Sequence, residues 1–378
     1  MHIQLERHQY NHRRDVWKES PILTGSTAFE PLPTMKNILV TGGAGFIGSW
    51  MARHLATVYK DYYNIIVLDN LDYNSSINNI RALEGARNFK FVYGDITKTE
   101  DVMSCLLKYH IDTILHFAAK SCVDDSFRDA CLFTTVNVFG TQVLLDCSRK
   151  LGITKFIHVS TDEVYGEPNG KDSPAIESSV LSPTNPYSAS KAAAEMIVNS
   201  YKKSFNLPII ITRCNNVYGP HQFPEKVVPR FSLLLLKRKR VPVMGDGTHI
   251  RNYLYAGDAI NAFDTILHKG IVGETYNIVA EDASSTRGIC SRLLRSLGIS
   301  CDTDYDLESW IRYVEDRPFN DHQYLCSGHK LRALGWKPRT KLDDGLRITI
   351  DWYKRFGEQW WGTIPEVTYL DGWTPKFS

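Results

Sequence analysis

Lys36-Asn37-Ile38-Leu39-Val40-Thr41-Gly42-Gly43-Ala44-Gly45-Phe46-Ile47-Gly48 is a short apolar, β-branched run entering a glycine-rich turn, and Trp50 to Val58 follow at helical spacing. Strand, loop and helix in that order predict the first unit of a dinucleotide-binding fold. Gly43, Gly45 and Gly48 fit G-x-G-x-x-G, where missing Cβ atoms permit a tight turn, approach of backbone to a pyrophosphate, and close helix-to-strand packing. The helix N-terminus adds free N–H groups and the positive end of the helix dipole. Alone the loop is a weak signal, because glycine turns serve many structural ends.

Its surroundings strengthen it. A second strand, Ile65 to Leu68, ends in Asp69 about 20 residues beyond the loop, where a carboxylate accepts hydrogen bonds from ribose hydroxyls and repels a 2'-phosphate. NAD is therefore expected rather than NADP. Two more strand ends follow, Phe89 to Val92 into Gly94-Asp95-Ile96 and Thr113 to His116 into Phe117-Ala118-Ala119. Asp95 reads either as a contact to the adenine amine or as a plain turn residue. The alternation continues through a helical stretch with Asn137 and Gly140-Thr141, the strand Phe156 to Val159, a helix after Tyr187 and the strand Ile209 to Thr212. Such β/α alternation predicts an α/β fold, a Rossmann-type doubly wound parallel sheet with ligands at the carboxyl ends of its strands.

Composition narrows the function classes. A chain of 378 residues that is 43% apolar buries a sizeable core, in one large or two fused lobes. Its formal charge of +2, without basic stripe or acidic tail, points to neither nucleic acid nor membrane. Lys237-Arg238-Lys239-Arg240 follows the apolar Leu233 to Leu236 and reads as a solvated helix end. Eight cysteines without CxxC pairs, and no apolar secretory segment at the start, suggest reduced thiols and a cytoplasmic protein. The twelve histidines have no metal-ligand spacing, so no metal is expected. Residues 1–34 are polar and aperiodic, and read as a flexible or loosely docked extension.

The chemistry is concentrated in Ser160-Thr161-Asp162-Glu163-Val164-Tyr165-Gly166 and Tyr187-Ser188-Ala189-Ser190-Lys191. Asn185-Pro186 is a helix-start signal, and on the helix that follows Tyr187 and Lys191 lie four apart on one face. A free tyrosine, with a pKa of about 10, is a poor base at neutral pH. A neighbouring ammonium and an oxidised nicotinamide would both favour its phenolate, making Tyr187 a candidate base for a sugar hydroxyl. Taken alone, a Tyr/Lys pair reads more readily as a core tyrosine beside a surface lysine, and a solvated turn is the lesser reading of Asp162-Glu163. Together they are more acid/base equipment than a plain hydride transfer needs, and they suit elimination of water.

T-G-G-A-G-F-I-G at 41–48, the Asp69 strand end, F-A-A at 117–119, the Asn137 segment, S-T-D-E-V-Y-G, Y-S-A-S-K and R-C-N-N-V-Y-G-P-H-Q-F-P-E-K at 213–226 occur in this order. In them the chain resembles the extended short-chain dehydrogenase/reductases, and within these the nucleotide-sugar 4,6-dehydratases that act on dTDP-glucose or UDP-glucose. The resemblance runs from Met35 to about Lys354. It implies an NAD-binding domain over 35–218, with 252–280 returning to it, and a smaller interleaved substrate lobe from 219–251 and 281–378.

The resemblance further implies cofactor contacts from Gly42, Gly43, Gly45, Phe46, Ile47, Gly48, Asp69, Asn70, Asp95, Ile96, Phe117, Ala118, Ala119, Tyr187, Lys191 and Cys214. It implies substrate contacts from Ser121, Thr161, Asn216, Lys226, Val227, Arg251, Arg317 and Asn320, the arginines on a diphosphate, for which bidentate guanidinium geometry is suited. Tyr187 would take the O4 proton while hydride leaves C4. Glu163 would take the C5 proton, and Asp162, held protonated by its surroundings and its neighbour, would protonate the departing O6. Thr161 would hydrogen-bond the reacting hydroxyl and Lys191 would orient the ribose. Lys120, Cys122 and Asn320 depart from residues common among relatives and leave the accepted base open. A homodimer packed through the helix of Tyr187 is implied by analogy. Related 4-epimerases and glucuronate decarboxylases, or an NAD-sensing protein on the same fold, are the alternatives.

Overall fold

In the computed structural model, which describes residues 16–167 and 173–362, the strand Asn37–Thr41 alternates sides: Ile38 and Val40 enter one core and Leu39 another. A strand apolar on both faces needs cover on both. The helices Phe46–Val58 and Ala256–Lys269 cover one face through Trp50, Leu55, Ile260 and Phe263. The helices Thr99–Lys108, Gly140–Leu151 and Pro186–Phe205 cover the other through Val102, Leu144 and Val198. The helical run Ala130–Leu151 is long and apolar enough to cross a membrane by length and composition, and here Val143, Leu144 and Leu145 are spent on this core.

The strands, in chain order, are β1 (Asn37–Thr41), β2 (Asn64–Asp69), β3 (Phe89–Tyr93), β4 (Thr113–His116), β5 (Lys155–Thr161), β6 (Ile209–Cys214), β7 (Asn216–Tyr218), β8 (Val241–Met244), β9 (Ile250–Tyr255), β10 (Thr275–Ile278), β11 (Ala283–Ser285) and β12 (Ile311–Val314). Seven form one parallel sheet in the order β3-β2-β1-β4-β5-β6-β10. The order reverses beside β1, so a crevice opens at the carboxyl ends of β1 and β4. β11, β9 and β7 make a three-stranded sheet, and β12 pairs with β8. These smaller sheets belong with a third core built from Phe231, Leu234, Val241, Leu293, Leu346 and Trp352.

The chain re-enters the large sheet slightly later than position 252, because residues 250–255 are the small-sheet strand β9. Re-entry begins with the helix Ala256–Lys269 and ends in β10 against β6. β7 lies inside the stretch expected for the cofactor domain yet pairs with β9, Asn216 opposite Tyr253. The basic run 237–240 follows the helix Val227–Leu236 directly and is exposed.

Residues 16–34 differ from the loose extension that their composition suggests. Asn261 Oδ1 accepts from the backbone N–H groups of Ser26 (2.6 Å) and Thr27 (3.0 Å), the Tyr59 hydroxyl from Phe29 N–H (2.9 Å) and the Tyr63 hydroxyl from Leu32 N–H (2.7 Å). Arg53 Nε donates to Leu23 O at 3.0 Å. Beyond the helical turn Val16–Glu19 the segment has no helix or strand, and side chains of the large domain, rather than a ladder, take up the backbone groups named. Residues 1–15 and 363–378 of the expected extension and tail lie outside the described residues. Asn261→Ala removes the acceptor of two half-buried N–H groups, and a hydrogen bond of this kind contributes about 0.5–1.5 kcal/mol net. The variant is expected to lower the urea midpoint by a corresponding amount with an unchanged m-value.

Candidate active site

The glycine turn is tighter than its motif alone indicates. The left-handed residue is Gly42, at φ +67°, one position before the three motif glycines, and a Cβ on it would stand 2.7 Å from the backbone of Ala118. Gly43 is pressed against the Val67 side chain of β2, and a methyl on Gly48 would overlap the Gly42 carbonyl oxygen. Gly45, whose added Cβ would meet only Gly42 O, at 3.2 Å, leaves the backbone open to a ligand. Asp69 at the end of β2 closes the turn. Its Oδ2 accepts from Ala44 N–H (2.9 Å) and its Oδ1 from Leu71 N–H (2.8 Å) and the Ser75 hydroxyl (3.2 Å). Burial raises its pKa, and these hydrogen bonds oppose the rise.

In front of this turn lies a cleft of about 290 Å³. It is lined by Gly42, Gly45, Phe46, Ile47, Gly48, Asp69, Asn70, Asp95, Ile96, Phe117, Ala118 and Ala119, and at its far end by Ser121, Thr161, Glu163, Tyr187, Lys191, Cys214, Asn216 and Lys226. A bare-backbone cradle at one end and a buried carboxylate at the second strand end are what a dinucleotide requires, so these residues fit NAD. Asp95 does hold a turn, its Oδ1 accepting from Thr97 N–H (2.9 Å) and hydroxyl (2.8 Å), while it also lines the cleft. Gly43, Asp162, Val227, Arg251, Arg317 and Asn320 are outside this lining.

β5 delivers the acid pair. It ends in Thr161, whose Oγ1 accepts from Glu163 N–H at 3.3 Å and starts the short 3-10 turn Asp162–Tyr165. Asp162 is 2% exposed and Glu163 9%, which removes the solvated-turn reading. Asp162 Oδ1 lies 3.3 Å from Thr161 Oγ1, and its Oδ2 accepts from Asn215 Nδ2 at 2.6 Å. Burial, and then the charge of Glu163, push the Asp162 carboxyl up to about 7. Glu163 faces the cleft, with Asn185 Nδ2 at 3.4 Å and the Tyr324 hydroxyl at 3.5 Å from its Oε2.

The helix Pro186–Phe205 starts as its sequence signals, with Pro186 in the first turn and a reciprocal capping box between Asn185 and Ser188. Two buried contacts then fix its register. Glu195 takes Arg213 Nε at 3.1 Å and Nη2 at 2.7 Å, tying the helix to β6. On the other side a π-helical turn, Thr134–Phe139, carries Asn137 inward, where Nδ2 donates to Lys120 O (3.0 Å) and Ser190 Oγ (2.9 Å) while Oδ1 accepts from Lys120 N–H (2.8 Å). The catalytic helix and the loop after β4 therefore share one amide.

Lys191 is buried, and burial lowers its pKa to about 8. Its ammonium donates to Val159 O at 2.7 Å, not to Tyr187. Burial, then the Glu163 charge, raise the Tyr187 pKa well above its ordinary value, opposed by a hydrogen bond from Thr161. The expected phenolate is therefore not produced by the protein's own groups.

Toward the smaller lobe, Lys226 Nζ donates to Ser121 O at 2.7 Å. Arg251 Nη2 donates to Asn320 Oδ1 at 3.0 Å, and its guanidinium stacks 4.9 Å above the Tyr324 ring, one ring away from Glu163. Arg317 lies 3.7 Å from Asp124, and its buried Nε has no hydrogen-bond partner. Among the described residues, Cys122, Asp125 and Glu225 form the one ligand-type cluster, and the two carboxylates already lie 2.9 and 2.7 Å from the Tyr73 hydroxyl. Sequence reasoning passed over Asn215, Asn185, Tyr324, Gln222 and Glu225. Asn215 stood beside the quoted Asn216, but Tyr324 reaches Glu163 from 161 positions away and left no local signal.

A sequence model of the GDP-mannose 4,6 dehydratase family matches residues 39–349. A trifunctional UDP-glucose 4,6-dehydratase/UDP-4-keto-6-deoxy-D-glucose 3,5-epimerase/UDP-4-keto-L-rhamnose-reductase of Arabidopsis thaliana is 48% identical over 87% of this chain and 49% of its own length. The chain thus spans about half the length of such plant relatives. The dTDP-D-glucose 4,6-dehydratase of Homo sapiens is 43% identical over 91% of this chain and 95% of its own. Among solved structures, DesIV, a dTDP-glucose 4,6-dehydratase from Streptomyces venezuelae with NAD and TYD bound, superposes with a TM-score of 0.80 at 39% identity, covering 86% of this chain and 99% of the other.

The raised Asp162 pKa has a stability consequence. A carboxyl titrating at about 7 when folded and about 4 when unfolded costs stability progressively as pH rises through that window, and no further above it. Asp162→Asn is expected to be more stable than the wild type, by a margin that grows between pH 5 and pH 7 and is flat to pH 8, read by urea denaturation at each pH.

Proposed function

Because the chain belongs to the family of GDP-mannose 4,6-dehydratase within the extended short-chain dehydrogenase/reductases, we propose that it is an NAD-dependent lyase that removes water from an NDP-glucose. The product is the NDP-4-keto-6-deoxyglucose. One observation carries the reading: two adjacent buried carboxyls, of which Asp162 holds a proton near neutrality while Glu163 faces the cleft beside Tyr187. Like charges this close are driven to different protonation states, which is what an acid and a base on neighbouring atoms need.

Bound NAD would supply a hydride acceptor for C4 and, once reduced, a hydride donor for C6, and its cationic nicotinamide would favour the Tyr187 phenolate. Gly42, Gly45 to Gly48 and Asp69 would hold it, with Lys191 toward its ribose. Thr161 and Tyr187 receive the sugar at O4, and Tyr187 takes that proton. With a ketone at C4 the C5 proton becomes acidic, and Glu163 removes it. Asp162 gives its proton to O6 as the C6–O bond breaks and the electrons of the former C5–H bond form C5=C6. Glu163 then returns its proton to C5. Positioned acid and base groups each contribute about 100-fold or more. Asn216, Lys226, Arg251 and Arg317 are assigned to the diphosphate and nucleoside, with Asn320 orienting Arg251. The eight unpaired thiols support a reducing, cytoplasmic setting.

The protein without added NAD, incubated separately with dTDP-glucose and UDP-glucose, is expected to lower the substrate mass by one water. The ratio of the two rates gives the base preference. An unchanged mass with both, after NAD is supplied, rejects the proposal in favour of an epimerase or an NAD-binding sensor.

A homodimer is also proposed. Ala189, Ala193, Met196 and Ser200 make an exposed stripe on the catalytic helix, and Cys131, Thr135, Phe139 and Gln142 a second on the neighbouring helical run, with Met196 54% and Phe139 50% exposed. Small and apolar residues on two adjacent helices suit helix packing about a two-fold axis. Met196→Glu is expected to convert a dimeric mass in light scattering to a monomeric one. An equal mass for both proteins counts against this interface.

A further inference from the structure

We infer that Asn215 is a positioning residue for the elimination step: it directs the acidic proton of Asp162 to Oδ1, the oxygen on the Thr161 side. The inference rests on the dehydratase reading and adds to it a residue that reaches the cleft wall beside Cys214 and Asn216 and acts on the step through Asp162.

An asparagine amide has two ends of nearly equal shape, so its orientation must come from its neighbours. Here they leave one choice. Asn215 is 4% exposed, directly after β6, and its backbone N–H is fixed to Ile278 O at 3.1 Å. Its side-chain Oδ1 accepts from Ala280 N–H at 2.8 Å. A backbone N–H only donates, so the amide nitrogen must point the other way, and it lies 2.6 Å from Asp162 Oδ2. Its second hydrogen faces Cys326 Sγ at 3.6 Å. Asp162 Oδ2 therefore meets an N–H donor at short range, and a proton on that oxygen would have to compete with it. Oδ1 faces the Thr161 hydroxyl at 3.3 Å, which donates to an ionised Asp162 but, unlike an amide N–H, can turn to accept from a proton on Oδ1; Thr161 lines the cleft, whereas Asp162 itself is behind that lining.

The same bond changes in strength during the reaction. While Asp162 is a neutral acid, the amide donates to a carbonyl-like oxygen. Once the proton has gone to O6, it donates to a buried carboxylate, and such charge-assisted bonds are roughly twice as strong. The gain appears as charge develops on Asp162, which is the condition for an interaction to speed the step rather than only tighten binding. Asn215 thus works against the burial and the Glu163 charge that hold Asp162 protonated, keeping it acidic enough to let the proton go.

Asn215→Asp tests this with little change of shape. The new carboxyl still accepts from Ala280 N–H but has no N–H for Asp162, and the two acids would share a proton on the side away from the cleft. Stopped-flow absorbance at 340 nm reports C4 oxidation, and mass loss reports elimination. The expected result is slower water loss, by about 10-fold or more, with transient NADH accumulation and little change in KM. The basic limb of the kcat profile should move up by about one pH unit or more. Equal loss of both steps with an unmoved limb, or wild-type behaviour throughout, overturns the inference.

If that variant does not fold, Asn215→Ser, which keeps a donor hydroxyl, is compared with Asn215→Ala. Faster elimination by the serine variant supports the assignment, and equal rates reject it. Failure of the dehydratase reading looks different, because the wild type itself then loses no water. In that case the carboxyl infrared band absent from Asp162→Asn still decides the local claim: it should titrate higher in Asn215→Asp than in wild type, and an unmoved titration rejects it.

Discussion

Burial of Asp162 directly beside Glu163 is the constraint around which the site is arranged. Two carboxyls next to each other at the end of a buried strand cannot both ionise cheaply. The fold meets this with unequal surroundings. Asp162 is held behind Thr161 and tends to keep its proton, while Glu163 opens to the cleft and sits between an amide and a phenol. The asymmetry needed for paired acid and base chemistry is thus built from burial and hydrogen bonding, with no difference in covalent structure beyond one methylene.

Such a site works only if the elements around it are rigid. β5 is an interior strand of the seven-stranded sheet with β4 and β6 on either side, and the helix of Tyr187 is clamped at both ends of its first half. The Arg213–Glu195 pair continues through Arg213 Nη1 to the Tyr165 hydroxyl at 2.7 Å, and from there to Asn277 Oδ1 at 2.8 Å. One buried polar chain therefore joins the turn after the acid pair, the catalytic helix, β6 and β10. Buried networks of this kind are costly unless every member is satisfied, and their worth lies in fixing one arrangement. Asn137 does the same for the cofactor loop. It sits in a π-turn, a local departure from regular helix that turns a side chain inward at a functional place.

Tyr187 shows the limit of what the protein supplies. Burial and a nearby carboxylate both oppose its ionisation, and Lys191 is engaged with a backbone carbonyl. A base that is silent until an oxidised nicotinamide arrives would deprotonate a sugar hydroxyl only when a hydride acceptor is present. Under the proposed function, such coupling would need electrostatics alone and no moving part.

The sequence by itself determined the order of strands and helices, the glycine turn, the Asp69 strand end and the two short motifs of the site, because each is written in contiguous residues whose period or spacing has a local cause. It also named most residues of the cleft, since they cluster at strand ends. Other features were decided only by the tertiary structure. The left-handed position falls on Gly42, where Ala118, in the loop after β4, also leaves no room for a Cβ. Residues 16–34 carry no pattern, and their docking depends on Tyr59, Tyr63 and Asn261, which are distant in the chain. Asn215 and Tyr324 became visible as partners of the acid pair only when β6 and the segment after β12 were brought to the end of β5. Burial, and with it the protonation of Asp162, depends on everything packed around a residue, and that sum is not present in any stretch of sequence.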